Sequence, residues 1–521
     1  MRSVTNTILA TLAVLLSGTL CVRAELTSEQ EALTIARNYV SFILTNEGSW
    51  DGSDSAEVAS IQEFRRGDRL LGYFCPVQPR GFLVLSLYRE LAPIRAYSGR
   101  CNLNPEAEEG LTGLIKDKME SILDGVEQQL GRPLRPNDQI GGLLEINYRA
   151  VSDVLASATF DPAEYREPQR ARDGAGMDYQ EGEVMLSAVW HQGPPYNDDC
   201  PGMSCDWSGY GHFNYSALAG CVATAGAQVM YYWRWPPSGA NSEPYTDAYD
   251  WPNMCDMYIY DGSGWFYNED DESVTSAQIN AVAELCSEVG IAVGMDYGCD
   301  RSGTQTSYLE DAFEDHFRYS IDGAVIYRDD YDNAVDWFIE LKNQMNCNRP
   351  VPYRIDGHAI VADGWKQEWI GNDYYWYHMN YGWAGSLPDD PNWPGYPNSN
   401  TWFPLDELFH GSADDYAIAN VVPDTAISYA MGSSYPGGVR RYFDRDVRGT
   451  NANFSAGQDL QILRPGFHLQ NSGGPTNAIR FYGEPSAVIR FFLEGDIVAK
   501  TRIRVQGGAM KIRGGGEMVI R

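Results

Sequence analysis

The sequence carries little positive charge and no zinc-binding motif, and these absences exclude several classes of function. Lysine and arginine number 39 against 71 aspartates and glutamates, which gives a net charge of −32. Such a surface repels nucleic acid and anionic membranes, so we expect neither as a partner. Neither paired CxxC motifs nor an HExxH motif occurs, so we predict no metal site and no cofactor.

Long apolar runs are also scarce. The run at residues 8–20 is too short to span a bilayer, follows a positively charged start and precedes a small residue, Ala24. These are the features of a secretory signal peptide. Cys21 would suggest a lipoprotein, but the bulky Leu20 stands where a small residue is expected. We therefore predict a signal peptide at residues 1–24 and a secreted protein without a membrane span.

Nine cysteines remain once that segment is removed. Export permits disulfides, and an odd number leaves at least one thiol free. Eight could pair if Cys221 is set aside, and the sequence leaves their connectivity open.

The N-terminal part of the chain is predicted to be a small α+β domain at residues 25–160. Ser28 and Glu31 form a capping-box pattern before a helical repeat of apolar residues. Residues 82–88 predict a buried strand, and residues 111–130 a second amphipathic helix. A polar stretch rich in Arg, Gly and Pro follows at 161–183, and we expect this linker to be cut by proteolysis.

Two further units follow the linker. Residues 184–425 form the largest unit, with one apolar helix and later strand-like alternation. Residues 426–521 contain short β-rich runs separated by glycine, which predict a small all-β module, either a sandwich or a short solenoid. The role of this module is left open.

Cys221 is the first candidate for chemistry. It follows Gly220 and opens an apolar helix that is expected to stop before Pro236. The unpaired N–H groups at a helix N-terminus favour a thiolate. A buried structural cysteine is the competing interpretation, because that is a common fate of cysteine.

His358 is the second candidate, within the motif DGHAIV. It lies 137 positions after Cys221, and in papain-like folds the base follows the cysteine by about 130–150 residues. By itself, a histidine in this context is more often a core or loop residue. The pair together predicts a nucleophile and its base.

Asn380 is the predicted partner of His358. Residues 358–365 and 374–381 read as two strands of a hairpin, and pairing Gly364 with Tyr374 places Asn380 opposite His358. A side-chain amide there would orient the imidazole, although a slip of one residue would turn it to the other face.

Two more residues complete the predicted site. Gln192, in the motif WHQGPPYN, is the best candidate for a side-chain amide that donates to an oxyanion. Trp383 would shield the histidine–asparagine hydrogen bond from water. A plain core tryptophan is the alternative interpretation.

Several motifs together resemble the streptopain family of cysteine peptidases, family C10 of the papain clan. They are WHQGPPYN, GCVATAGAQVMYYWRWP, LCSEVGIAVGMDYG, NRPVPYRIDGHAIVADGW and YHMNYGW, and the segment LGYFCPVQPRGFLVLSLYRELAPIRAYS resembles the family's inhibitory propeptide. The resemblance spans about residues 25–425. It implies an α+β protein with a papain-like peptidase domain, preceded by a propeptide domain and followed by the β-rich module.

The resemblance also implies roles for individual residues. Cys221 would be the nucleophile and His358 the general base and acid. Gln192 would hold the oxyanion, Asn380 would orient the histidine, and Trp383 would pack over the pair.

The substrate contacts implied by the resemblance are less complete. Gly357 would contact the substrate backbone, and a substrate-contacting serine of the family falls near Gly303 or Thr304. Tyr381 stands where the family usually has a second tryptophan, and the stretch 386–400 is longer than expected.

The predicted function is therefore that of a secreted cysteine endopeptidase made as a self-processing zymogen. Its partners would be protein substrates and its own propeptide. Two alternatives remain at this stage: an inactive binding or adhesion relative, and a transpeptidase that uses the same Cys–His pair.

Overall fold

The structure is a computed structural model that describes most of the chain. It covers residues 23–165 and 181–423, apart from 206–215, 261–264, 268–271, 320–322, 347–348, 356, 384–400 and 406–414. Beyond residue 423 it describes the backbone of twelve short strands between residues 434 and 520. The predicted signal peptide, most of the predicted linker and the stretch 386–400 lie outside the described residues.

The N-terminal unit combines three helices with an antiparallel sheet. Its elements are α1 (Glu29–Asn46), β1 (Glu57–Val58), β2 (Gln62–Arg66), β3 (Arg69–Gln78), β4 (Phe82–Ser86), β5 (Ile94–Ser98), α2 (Gly110–Leu130) and α3 (Arg149–Leu155).

Local sequence signals fix the helices of this unit. The side chain of Ser28 accepts from the Glu31 backbone N–H while the Glu31 carboxylate accepts from the Ser28 N–H, which confirms the predicted capping box. Helix α2 ends at Gly131, whose φ of 68° is a left-handed conformation that glycine adopts at little cost. Both helices form close to where the apolar periodicity predicts them.

The unit after the linker adds four helices and nine strands among the described residues. They are α4 (Cys221–Trp233), β6 (Ile259–Tyr260), β7 (Trp265–Tyr267), β8 (Glu272–Ser273), α5 (Ser276–Ala292), α6 (Tyr308–Asp315), β9 (Ala324–Tyr327), α7 (Ala334–Asn346), β10 (Val351–Ile355), β11 (His358–Trp369), β12 (Asp373–Asn380), β13 (Thr401–Pro404) and β14 (Tyr416–Ala419). With the N-terminal unit, they confirm the predicted α+β class.

One antiparallel sheet runs through both units. Its strand order is β1-β3-β4-β5-β13-β12-β11-β10-β14-β9, with β2 paired to β3. The two units meet where Tyr97 of β5 pairs with Trp402 of β13. The strand that begins at His358 therefore belongs to a sheet that the N-terminal unit extends.

The hairpin of β11 and β12 has a different register from the predicted one. Gly364 pairs with His378, and Asn380 lies opposite Val361, so the prediction that Asn380 faces His358 across the ladder is wrong. The strands continue to Trp369 before a tighter turn, and the ladder shifts at a bulge between Ala362 and Gly364. A bulge adds a residue to one strand, which the predicted even ladder left out.

Three apolar cores stabilise the structure. The first is built wholly from residues 186–422 and surrounds α4 and α5. The second and third combine residues 24–155 with residues 334–417. The N-terminal unit is thus packed against the sheet of the later unit over two shared cores.

Buried polar contacts accompany this packing. The Tyr374 hydroxyl accepts from the Ile94 N–H (3.0 Å) and donates to the Ile94 carbonyl (2.5 Å). The Nζ of Lys366 lies 2.7 Å from a carboxylate oxygen of Glu47 and 2.7 Å from one of Glu368. Since Ile94 and Glu47 belong to the N-terminal unit, these bonds cross between the units.

The C-terminal strands form a solenoid rather than a sandwich. They are β15 (Ser434–Tyr435), β16 (Arg441–Phe443), β17 (Val447–Gly449), β18 (Asn453–Phe454), β19 (Asp459–Ile462), β20 (Phe467–Asn471), β21 (Ala478–Tyr482), β22 (Val488–Leu493), β23 (Ile497–Lys500), β24 (Arg502–Gln506), β25 (Ala509–Gly514) and β26 (Met518–Ile520). Every third strand pairs in parallel, giving three sheets of four strands. Of the two predicted arrangements, this is the solenoid.

Within the described part of the chain, no helix combines the length and apolar character that crossing a membrane requires.

Candidate active site

Cys221 is the first residue of helix α4, as the sequence predicts. The preceding Gly220 has a φ of 89°, and a Cβ there would come within 2.6 Å of Met295. Only glycine meets both conditions without strain. The Gly-Cys step therefore brings the thiol to the positive end of the helix through a turn that other residues would distort.

The Cys221 thiol lies against the strand that carries His358. Its Sγ accepts from the Ala359 backbone N–H at 3.5 Å. Burial raises the pKa of the thiol, and the N–H groups of Ala359 and Val222 oppose that rise. The structure thus brings Cys221 beside the residue that follows His358, although they are distant in sequence.

His358 is buried, with 6% of its surface exposed. Its Nε2 lies 2.8 Å from the Tyr381 carbonyl oxygen. Because a carbonyl only accepts, Nε2 carries the hydrogen and the Nδ1 lone pair remains the basic position of the ring. Burial lowers the pKa of His358 to about 4.

Trp383 stacks on His358, with ring centroids 4.1 Å apart and an angle of 24° between the planes. The Tyr381 ring lies 6.2 Å from the histidine ring. The predicted contact between Trp383 and the histidine is therefore present.

Asn380 lies close to this group but its described hydrogen bonds go elsewhere. Its Nδ2 donates to the Ala188 carbonyl at 2.8 Å and to Gln228 Oε1 at 2.9 Å. Its Oδ1 accepts from the Gly382 N–H at 3.1 Å. The acceptor that holds His358 is instead the backbone carbonyl of the next residue, Tyr381.

Gln192 is connected by a backbone hydrogen bond to the segment that precedes Cys221. Its carbonyl accepts from the Ala219 N–H at 2.9 Å, two residues before Cys221. The residue is partly exposed, and its oxyanion role stays a prediction.

Comparisons with known proteins find relatives of this chain. The sequence model of the Peptidase C10 family matches residues 190–389, which include Cys221, His358 and Asn380. Over these residues the chain is similar to the streptopain-like peptidases of family C10. It is a cysteine-type endopeptidase, which favours the peptidase over the binding-only alternative.

The individual relatives differ in how much of the chain they match. Streptopain from Streptococcus pyogenes is 26% identical over 386 residues, 69% of this chain and 82% of streptopain. The thiol protease/hemagglutinin PrtT from Porphyromonas gingivalis is 26% identical over 209 residues, 38% of this chain and 22% of that protein. A prointerpain A fragment from Prevotella intermedia superposes with a TM-score of 0.46 at 20% identity, covering 71% of this chain and 99% of the fragment.

The predicted substrate residues come from two separate segments of the chain. Gly357, immediately before His358, is exposed with a φ of 70° and has open space where a Cβ would stand. Gly303 and Thr304 follow a loop that packs against Gly220, and Thr304 Oγ1 donates to the Val293 carbonyl at 2.7 Å.

A buried pair of residues on strands β11 and β12 was not predicted. His378 Nδ1 and Asp363 Oδ1 are 2.6 Å apart, and both residues are almost fully buried. Asp363 Oδ2 also accepts from the Leu186 N–H at 3.2 Å. The sequence signal was an acid at an otherwise apolar strand position, and the bulge that it occupies explains why simple alternation missed it.

Three carboxylates, one exposed, one half-buried and one buried, cluster where helix α5 meets the loop that carries Asp247. Ligand oxygens of Asp247, Glu284 and Glu288 all lie within 4.8 Å of one another. The Tyr249 hydroxyl donates to Glu288. Burial, reinforced by neighbouring acids, raises the pKa of both glutamates to about 7. The expectation that the protein needs no metal stays a prediction.

Proposed function

We propose that this C10 peptidase is exported as an inactive precursor and that Cys221 and His358 are its nucleophile and base. The observation that carries the proposal is the approach of the Cys221 thiol, at the start of α4, to the strand that begins at His358. A helix N-terminus stabilises the thiolate, and the neighbouring ring receives the proton.

The proposed reaction begins when His358 Nδ1 takes the thiol proton and Sγ attacks the carbonyl carbon of the scissile bond. The oxygen becomes an oxyanion, which the Cys221 N–H and the Gln192 amide stabilise. The imidazolium then protonates the departing amine, and a thioester remains. Water adds to the thioester with His358 as base, which releases the acid and restores the thiol.

The Tyr381 carbonyl supports the tautomer that this sequence of steps needs. It accepts from Nε2–H and so leaves Nδ1 as the proton acceptor. Trp383 covers the ring and excludes water from that hydrogen bond. Asn380 acts one step further away, by fixing the Ala188 carbonyl and the Gly382 backbone.

The N-terminal unit is the proposed inhibitor. A cavity between the units is lined by Arg95 and Lys118 on one side and by Tyr381 and Phe403 on the other. The N-terminal unit thus reaches the residue whose carbonyl holds His358. Burial lowers the pKa of His358 and raises the pKa of Cys221, and both shifts disfavour the charged pair. We propose that loss of this unit, after cleavage in the 161–183 linker, allows the reactive ion pair to form.

The experiment that tests this function compares wild-type precursor with Cys221→Ala. Both are incubated under mild reduction at pH 5–7.5, and mass and casein cleavage are followed together. We expect wild type to lose about its first 160–180 residues and to cut casein, while the variant stays whole. If the variant also cuts casein, Cys221 is not the nucleophile.

Two additions make this experiment sharper. Nicking the linker with trypsin separates failed processing from failed catalysis, because a nicked wild type that is still inert contradicts the zymogen proposal. An added amine that captures the acyl group faster than water would instead favour the transpeptidase.

A further inference from the structure

One disulfide joins two segments that lie on either side of the residues leading to Cys221. Cys205 and Cys299 are bonded to each other across 94 positions of sequence. Six other cysteines of the described chain, including Cys221, are free thiols. The proposed mechanism uses neither half of this disulfide, and the sequence did not distinguish it from other pairings.

The segment before the nucleophile is held between the two joined segments. The Ala217 N–H donates to the Pro201 carbonyl at 2.9 Å, and the Leu218 N–H donates to the Gly298 carbonyl at 3.0 Å. The first acceptor lies four residues before one half of the disulfide, and the second is adjacent to the other half. The disulfide therefore joins the two segments that hold residues 217–218, which lead to Cys221. We call these two joined segments the clamp.

The second arm of the clamp is a loop, residues 296–303, that packs on the Gly-Cys step. Backbone hydrogen bonds of 3.0 Å in both directions between Asp296 and Gly303 close the loop. Ser302 Oγ donates to the Gly298 carbonyl and accepts from its N–H, which braces the interior. A Cβ on Gly220 would meet Ser302 Cβ at 3.3 Å. This loop is thus a wall beside the thiol.

We propose that the Cys205–Cys299 disulfide is a positioning element of the peptidase, which fixes the 296–303 loop as one wall of the substrate-binding cleft. The inference rests on the proposed function and deepens it, because Gly303 and Thr304 lie at the end of this loop. The disulfide acts on substrate binding rather than on the thiol. Helix α4 keeps other attachments when the loop moves, among them the bond from Ala219 to Gln192.

The proposal gives the enzyme opposite redox requirements at two places in one site. Cys221 must be reduced to act, whereas Cys205 and Cys299 must remain joined to position the substrate. A dithiol such as dithiothreitol opens the bond by giving up two electrons and two protons, yielding two thiols and a cyclic disulfide of the reagent. We expect activity to rise with mild reduction and substrate affinity to fall with strong reduction.

The test compares processed enzyme from wild type with enzyme from a Cys205→Ala/Cys299→Ala chain. The matched control is Cys255→Ala/Cys286→Ala, which removes two free cysteines of the unit that remains after processing. Steady-state kinetics are measured on peptides that differ at the residue before the scissile one. We expect the clamp variant to show KM raised about tenfold, kcat within about twofold and weaker discrimination among peptides, since a loosened wall misplaces the substrate.

The second measurement is the rate at which iodoacetamide alkylates Cys221. Because this reagent is small, its rate depends on the reactivity of the thiol and not on the substrate-binding cleft. We expect equal rates in wild type, control and clamp variant. Unchanged KM and selectivity in the clamp variant would overturn the inference, even if its melting temperature falls. A fall in kcat or alkylation rate at constant KM would also overturn it, since the disulfide would then act on the nucleophile.

If the Cys205→Ala/Cys299→Ala variant does not fold, a second experiment tests the inference on wild-type enzyme. Wild-type enzyme is titrated with dithiothreitol while free thiols are counted by mass after alkylation, and KM is expected to rise as two further thiols appear. A constant KM after both thiols appear contradicts the inference. Activity that persists in Cys221→Ala would instead refute the proposed function, so the two failures are distinguishable.

Discussion

The two halves of the active site are built in different ways. The nucleophile half (Cys221, helix α4 and the 296–303 loop) packs on a core made only of residues after the linker. The histidine half (His358, Tyr381, Trp383 and strands β11–β13) packs on cores that include residues of the N-terminal unit. The nucleophile half is therefore complete without the N-terminal unit, whereas the histidine half shares its sheet with it.

This difference indicates where the proposed inhibition acts. Removing the N-terminal unit takes a neighbour from strand β13 and apolar contacts from the sheet beneath His358. The same removal takes nothing from the first core. We therefore expect activation to change the histidine half first, and the predictions below test this asymmetry.

The largest expected effect is that of His358→Ala. Without its base and proton donor, the nucleophile half alone should retain little activity, and we expect casein cleavage to fall by about 10³- to 10⁴-fold. Alkylation of Cys221 at neutral pH should slow as well. His316→Ala is the matched control and should leave both rates unchanged; equal rates for His358→Ala and wild type would exclude the proposed base.

Asn380→Ala tests whether Tyr381 or Asn380 orients the histidine. The variant loses the bonds to Ala188, Gln228 and Gly382, so we expect unfolding free energy to fall by about 2 kcal/mol. We expect kcat/KM to fall less than about tenfold, with the pH profile unshifted. Urea unfolding measures the stability, and pH-rate profiles measure kcat/KM. A loss of kcat/KM above a hundredfold with a shifted profile would show that Asn380 is the direct partner of His358.

Tyr374→Phe removes a hydrogen-bonded link between the units. The Ile94 backbone would lose both partners, and we expect the Cys221→Ala precursor to lose about 1–3 kcal/mol of unfolding free energy. In the catalytically competent chain, Tyr374→Phe should speed self-processing.

Tyr231→Phe is the matched change in the nucleophile half, where the hydroxyl donates to the Met254 carbonyl. We expect it to lower stability without faster processing. Equal acceleration by both variants would contradict the asymmetry between the halves.

The smallest effect is a pH dependence in helix α5, which packs in the same core as the nucleophile half. The pKa of Glu288 is raised to about 7 in the folded chain, against an ordinary value near 4.3. The folded state therefore holds this proton more tightly, so stability is fully present below about pH 4.5 and is lost as pH rises through 7. Glu288→Gln should flatten that slope in urea midpoints between pH 4.5 and 8, and an unchanged slope would exclude Glu288 as its source.

Features that depend on neighbouring residues were predictable. The capping box at Ser28, helix α2 and the start of α4 at Cys221 follow from local patterns of caps, glycine and apolar spacing. The motifs also identified the peptidase family, because each carries its residues within a short window.

Features that depend on the pairing of distant segments could not be predicted from the sequence. The predicted hairpin turned too early: the ladder continues to Trp369 and Asp373, which would place Asn380 opposite Ala362, and the bulge at Asp363 shifts it by one more residue to Val361. Asp363 is held there by His378 and by the Leu186 backbone, contacts that no local pattern encodes.

The sequence by itself determined which residues are candidates for the chemistry, the helix that begins at Cys221 and the class of reaction. Those depend on local backbone preferences and on short motifs. Only the tertiary structure decided that the Tyr381 carbonyl holds His358, that Cys205 pairs with Cys299, and that the N-terminal unit extends the sheet of the peptidase. Each of these joins residues far apart in the chain, and such contacts form only when the packed cores bring the segments together.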